Sequence, residues 1–186
     1  GDDRYYCIAC FYVIISTKMH GNRGWTAKNN EKMKENQVYQ AAEIGITYKV
    51  KPAPDSFFTI QAPQHTFRLM RHVEEMNENL QYKEMFYTIL MNNAAEVIAI
   101  HKIGEGTTSG ALTDIKFIMQ GAIMANATHM IICHNHPSGN THPSKSDEAL
   151  TKKIKEAAQL FDIKLLDSVI ISKGGYFSFL ENCLID

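Results

Sequence analysis

The chain has 186 residues, 45% of them hydrophobic and 21% charged, the balance of a globular domain with a real core rather than of a disordered polymer. Against 20 acidic side chains stand 19 basic ones, for a formal net charge of −1. That excludes a dominant basic surface built for nucleic acid or anionic membranes, though not a local patch.

The chain opens on "GDDRYYCIACFYVIIS". Its apolar run is too short to cross a bilayer. The flank is acidic and no A-x-A cleavage pattern follows, so it does not read as a signal peptide. Cys7 and Cys10 form a CxxC in this run, but no second CxxC completes a zinc site, and they read as strand cysteines. With Cys133 and Cys183 they make four, too few for a disulfide framework, and a reducing cytoplasm is the expected setting.

Residues 17–45 are polar and rich in Asn, Lys and Gly, and residues 1–45 form a segment with no assignment. Residues 46–81 are expected to lead into the core. In them "ITYKVK" (46–51) alternates as a strand, "PAPDSFFTIQAP" is a proline-rich loop, and 65–80 carries apolar residues at helical spacing with Thr66 as N-cap.

From residue 82 the pattern is regular. "EMFYTILMN" reads as a strand and "NAAEVIAIHKIGE" as its hairpin partner. A turn-rich "GTTSGAL" precedes a helix over "TDIKFIMQGAIMANA" capped by Thr113. "THMIICH" is a buried strand. "SKSDEALTKKIKEAAQLF" is an amphipathic helix with Ala149, Leu150, Ile154, Ala157, Ala158 and Phe161 on one face. "IKLLDSVIIS" and "YFSFL" close the pattern as strands about a "KGG" turn. Alternating strands and helices predict a three-layer α/β/α domain with a mixed central sheet.

Between the buried strand and the amphipathic helix lies "CHNHPSGNTHPSKSDEALT". His134 and His136 are two residues apart at a strand end, so extended backbone turns both imidazoles to one side. That suits a shared metal ion, and Asp147, in the first turn of the next helix, is the natural third ligand. Pro137, Gly139 and Pro143 would set the path of the loop between them. Two imidazoles and one carboxylate leave a fourth position open, the mark of a catalytic rather than a structural zinc site. The plainer reading is a polar loop and a helix cap, since Ser144 to Asp147 fits S-x-x-D. The literal "HNH" does not make a nuclease, whose motif is dispersed. A zinc deaminase needs H-x-E together with P-C-x-x-C, and no P-C-x-x-C is present.

The spacing H-x-H, seven residues, Ser, two residues, Asp resembles the signature of RadC-like proteins in the JAB/MPN+ (JAMM) metalloenzyme superfamily. The resemblance extends through "GTTSG", "TDIKFIMQGAIMANA" and "AAQLFDIKLLDSVIIS", so residues 82–186 are expected to form a JAB/MPN domain of cytidine-deaminase-like fold. It implies Zn²⁺ bound by His134, His136 and Asp147, with Ser144 holding the oxyanion or reacting carbonyl. The superfamily's general base is a glutamate on an early strand, which "KEMFYTIL" matches at Glu84; Glu96 and Glu105 are the competitors. Where relatives carry Asp-His this chain has Asp167-Ser168, so a contact behind the ligands is expected to be lost or replaced. Cys133 is expected to pack on the far side of the sheet, and His142 to face solvent.

Three functions follow as expectations. The first is a zinc metallohydrolase acting on a peptide, amide or isopeptide-like bond. The second is a nucleic-acid-binding module tied to DNA repair or mobile elements, resting on Lys152, Lys153 and Lys155 in one helix and on lysines 28, 32 and 34. The third is a zinc-binding relative without activity.

Overall fold

The computed structural model describes residues 58–106 and 113–185. The Cys7–Cys10 run, the strand expected over 46–51 and most of the "GTTSGAL" loop lie outside the described residues.

Two short helices come first, α1 (Pro63–Arg71) and α2 (Glu74–Asn79). The hairpin strands β1 (Met85–Met91) and β2 (Val97–Glu105) follow, then α3 (Ile115–Met124), β3 (His129–Asn135), α4 (Lys145–Gln159), β4 (Lys164–Ser172) and β5 (Gly175–Ser178). Among the described residues the strands form one sheet in the order β2-β1-β3-β4-β5. β1 runs antiparallel to β2 and β3, β3 runs parallel to β4, and β5 returns antiparallel to β4. The sheet is therefore mixed, as its pattern predicts.

Side-chain alternation divides the core in two. On one face Phe86, Leu90, Met130, Ile132, Leu165 and Ile170 pack under α3 and α4. On the other, Tyr87, Ile89, Ile131, Cys133, Val169 and Ile171 pack against Leu69, Met70 and Met76 of α1 and α2. Helices thus cover both faces, which gives the three layers. The interior strand β1 is buried along its whole length, and so it reads as a continuous apolar run. Among the described residues no helix is long and apolar enough to cross a membrane.

Four local expectations need correction. The single helix over 65–80 is two helices. His72 closes α1 and Val73 is extended, with φ −75° and ψ 103°. In one continuous helix Met70 and Met76 would point about 120° apart. The break turns both onto the sheet, where each is fully buried. The N-cap is Ala62 with Pro63 in the first turn, while Thr66 lies buried inside α1. Asp114, not Thr113, caps α3, because its side chain accepts the Lys116 N–H at 2.9 Å.

The fourth correction concerns α4. Ala149 and Phe161 are exposed, and Thr151 is buried with Ile154 and Ala158. Phe161 lies beyond the helix, past the C-cap Leu160. The inward stripe runs 147, 151, 154, 158, the spacing of one helix face. Asp147 heads that stripe, so the packing of Ile154 and Ala158 on the sheet also aims its carboxyl at the sheet.

Candidate metal centre

β3 ends between β1 and β4, and the candidate residues gather at that end. His134 lies on the α3/α4 face, as does Phe86, its cross-strand partner. The two rings are stacked, with centroids 5.7 Å apart and planes 8° from parallel. His136 follows the strand, and its N–H still bonds the Ile171 carbonyl of β4 at 3.0 Å. The chain then turns tightly. Gly139 donates its N–H to the His136 carbonyl at 3.0 Å and has φ +84°, a conformation that favours glycine. The turn presents the Asn140 carbonyl to His136 Nδ1 at 2.7 Å. A carbonyl only accepts, so Nδ1 carries the proton and the Nε2 lone pair of a neutral His136 faces the site.

His134 Nε2 and His136 Nε2 are 3.1 Å apart. The Asp147 carboxylate closes the triangle, with Oδ1 3.5 Å from His134 Nε2 and Oδ2 3.6 Å from His136 Nε2. Glu84 stands one residue ahead of β1, two before Phe86, and so on the same face. Its carboxylate and the two imidazoles present ligand atoms that all lie within 4.8 Å of one another.

Asp147 is held from behind. Its Oδ2 accepts the Ser144 backbone N–H at 2.7 Å and the Ser144 hydroxyl at 2.6 Å, while the Asp147 N–H donates back to Ser144 Oγ at 3.2 Å. This is a capping box at the start of α4. Burial opposes ionisation of Asp147, but the neighbouring His134 and His136 rings and the Ser144 hydroxyl and N–H outweigh it and hold the carboxyl well below the usual carboxylate range. The Asp147 carboxylate beside it raises the basicity of His136 against the opposing effect of burial.

These residues fit a metal ion. Two ligand atoms about 2.0–2.1 Å from one ion at a tetrahedral angle lie about 3.3 Å apart. The nitrogen–nitrogen and nitrogen–oxygen separations above bracket that value. His134 Nδ1 is buried and has no hydrogen-bond partner. The Nε2 lone pair of a neutral His136, the His134 Nε2 atom and an ionised carboxylate converge on one point, an arrangement that a cation relieves.

Other residues separate from the cluster. Glu96 bonds Asn92 Nδ2 at 2.6 Å, and Glu105 pairs with Lys83 and Lys102 at 2.7 and 2.8 Å. Neither joins the histidines. Ser144 reaches the site through Asp147; its hydroxyl also lies 2.7 Å from Ser146 Oγ. Cys133 is buried on the far face and His142 is exposed. Ser168 accepts the Thr151 hydroxyl at 3.1 Å, and Asp167 accepts Ser178 Oγ and the Leu180 N–H at 2.6 and 2.9 Å. These bonds tie down α4 and the C-terminal turn rather than reaching an imidazole.

Sequence reasoning passed over Asn135. Its Oδ1 accepts the Met85 N–H at 2.8 Å, and its Nδ2 donates to the Leu80 and Lys83 carbonyls at 3.0 and 2.9 Å. One signal was available: an Asn inside a buried strand must find partners for its whole amide.

The profile of the RadC-like JAB domain matches residues 60–184. A UPF0758 protein of Flavobacterium johnsoniae is 38% identical over 98 residues, covering 53% of this chain and 43% of that protein. A UPF0758 protein of Haemophilus influenzae is 39% identical over 103 residues, 55% of this chain and 47% of its own. One from Pasteurella multocida is 35% identical over 125 residues, 67% of this chain and 55% of its own. The chain thus spans about half the length of these curated relatives.

Proposed function

Because the chain belongs to the RadC-like JAB domain family, we propose that it is a zinc-dependent hydrolase of amide or isopeptide-type bonds. The observation that carries this reading is the convergence of two imidazole Nε2 atoms, 3.1 Å apart, with one ionised carboxylate beside them and a second within reach.

His134, His136 and Asp147 would hold the ion. Bound there, Zn²⁺ supplies Lewis-acid polarisation of the scissile carbonyl and makes water a better nucleophile. Glu84, the carboxylate outside the capping box, accepts the proton of the attacking water and returns it to the leaving nitrogen. Ser144 has two tasks. It orients Asp147, and its hydroxyl supports the oxygen of the tetrahedral intermediate. For the second task the hydroxyl must turn from Asp147, whose Oδ2 keeps the Ser144 backbone N–H. A reducing compartment fits the free thiols of Cys133 and Cys183.

The test uses the zinc-loaded chain, a peptide library and isopeptide-linked dipeptides, with release of new amino groups as the readout. Glu84→Gln is expected to keep its zinc and lose about 10²–10⁴-fold in rate. Equal release by Glu84→Gln and the unsubstituted chain contradicts the proposal.

A further inference from the structure

Asn135 takes no part in the chemistry above, yet it is wholly buried and its amide is engaged on both sides. Strand alternation turns its side chain away from the face that carries His134 and His136. On that opposite face it meets the segment leading into β1. The Lys83 carbonyl and the Met85 N–H that it binds belong to the residues on either side of Glu84.

The contact lies where the sheet ladder stops. The β1–β3 pairing ends at Phe86↔His134, so the Met85 N–H is met by the Asn135 side chain. From the other direction the Gly106 N–H bonds the Glu84 carbonyl at 2.8 Å. With the backbone before and after Glu84 gripped, its Cα–Cβ bond points to a fixed place relative to β3. The gripping residue is the one between the two imidazoles, so ligands and proton acceptor share one short piece of strand.

We propose that Asn135 is a positioning residue that holds the Glu84 carboxylate against the His134–His136 pair. This rests on the hydrolase reading, in which Glu84 moves the proton. A carboxylate displaced by about 1 Å loses on the order of 10²-fold in proton-transfer efficiency, so the clamp serves geometry as well as folding.

The test loads the protein with Co²⁺ and labels its glutamate carboxyl carbons with ¹³C. Glu84→Gln identifies the Glu84 signal, whose paramagnetic relaxation falls steeply with distance from the ion. Asn135→Ser is expected to bind one Co²⁺ as the unsubstituted protein does, with Glu84 relaxation reduced several-fold. Asn135→Asp, which keeps the side-chain volume and the acceptor for Met85, is expected to recover part of it. Unchanged Glu84 relaxation in a loaded Asn135→Ser protein overturns the proposal. So does loss of Co²⁺ from the folded variant, which would place the action of Asn135 on the ligands. Failure of the unsubstituted protein to take up Co²⁺ overturns the hydrolase reading and this role with it, and is recognised because no substitution is involved. Should neither variant fold, hydrogen exchange in the unsubstituted protein decides: slow exchange at the Met85 amide supports the clamp, and fast exchange overturns it.

Discussion

Ser144 and Asp147 bind each other in both directions, and the Asp147 oxygen that takes the Ser144 N–H and hydroxyl is the one that lies 3.6 Å from His136 Nε2. Starting α4 and aiming the proposed metal ligand are therefore one set of bonds. Ser144→Ala should cost about 1 kcal/mol of stability as a lost cap. It should also weaken zinc about 10–100-fold by freeing the carboxylate. Denaturant midpoints and chelator competition read the two effects separately. Lost stability with unchanged zinc affinity would show that the cap does not orient the ligand.

The acid response of the β1–β2 edge is a second test. Hydrogen bonds from Lys102 and then Lys83 lower the Glu105 pKa to about 2 from an ordinary 4.5. A depressed carboxylate contributes its stability in full above the ordinary value, and loses it as pH falls from there to about 2. Glu105 is exposed, so salt screens the effect and its size is small. The denaturant midpoint of Glu105→Gln should lie below that of the unsubstituted chain near neutrality, and the gap should close over this window and narrow in high salt. A gap that ignores both pH and salt would contradict the assignment.

Thiol labelling separates the two described cysteines. Cys133 is buried, and burial together with the charge of Asp167 pushes its thiol far above the ordinary range. Cys183 is exposed. Peptide mapping after brief alkylation should find Cys183 modified and Cys133 intact, with Cys133 reacting only once the protein unfolds. Equal labelling of both in native buffer would place Cys133 outside the core.

Gly121 gives a packing test. A Cβ built there would lie 2.2 Å from His101 Nδ1, in a half-buried ring that packs edge-on against Phe117. Gly121→Ala should destabilise the fold by about 1–3 kcal/mol through overpacking. In a His101→Ala background the same change should cost much less, because the two sites share one contact. Additive losses in the double variant would mean that the ring simply moves aside.

Much of the site was legible because strand, loop and helix carry it in consecutive sequence. His134 and His136 share a face by alternation, and Asp147 follows from the helix start at Ser144. Glu84 was legible through the family resemblance alone, since only the β1–β3 register brings it beside the histidines. The break at His72–Val73 has neither Gly nor Pro to announce it; it exists because Met70 and Met76 must both reach the sheet. Thr151 was passed over for Ala149 because apolar spacing alone does not register a hydroxyl that finds a buried partner, here Ser168. Asn135 was passed over because its partners, Leu80, Lys83 and Met85, are set by tertiary structure.

The central claim is that His134, His136 and Asp147 bind a metal ion. Elemental analysis of the purified chain after zinc loading and dialysis tests it directly, beside a folded His136→Ala variant. The account predicts about one zinc per chain in the unsubstituted protein and almost none in the variant. Equal zinc in both, or none in either, would contradict it.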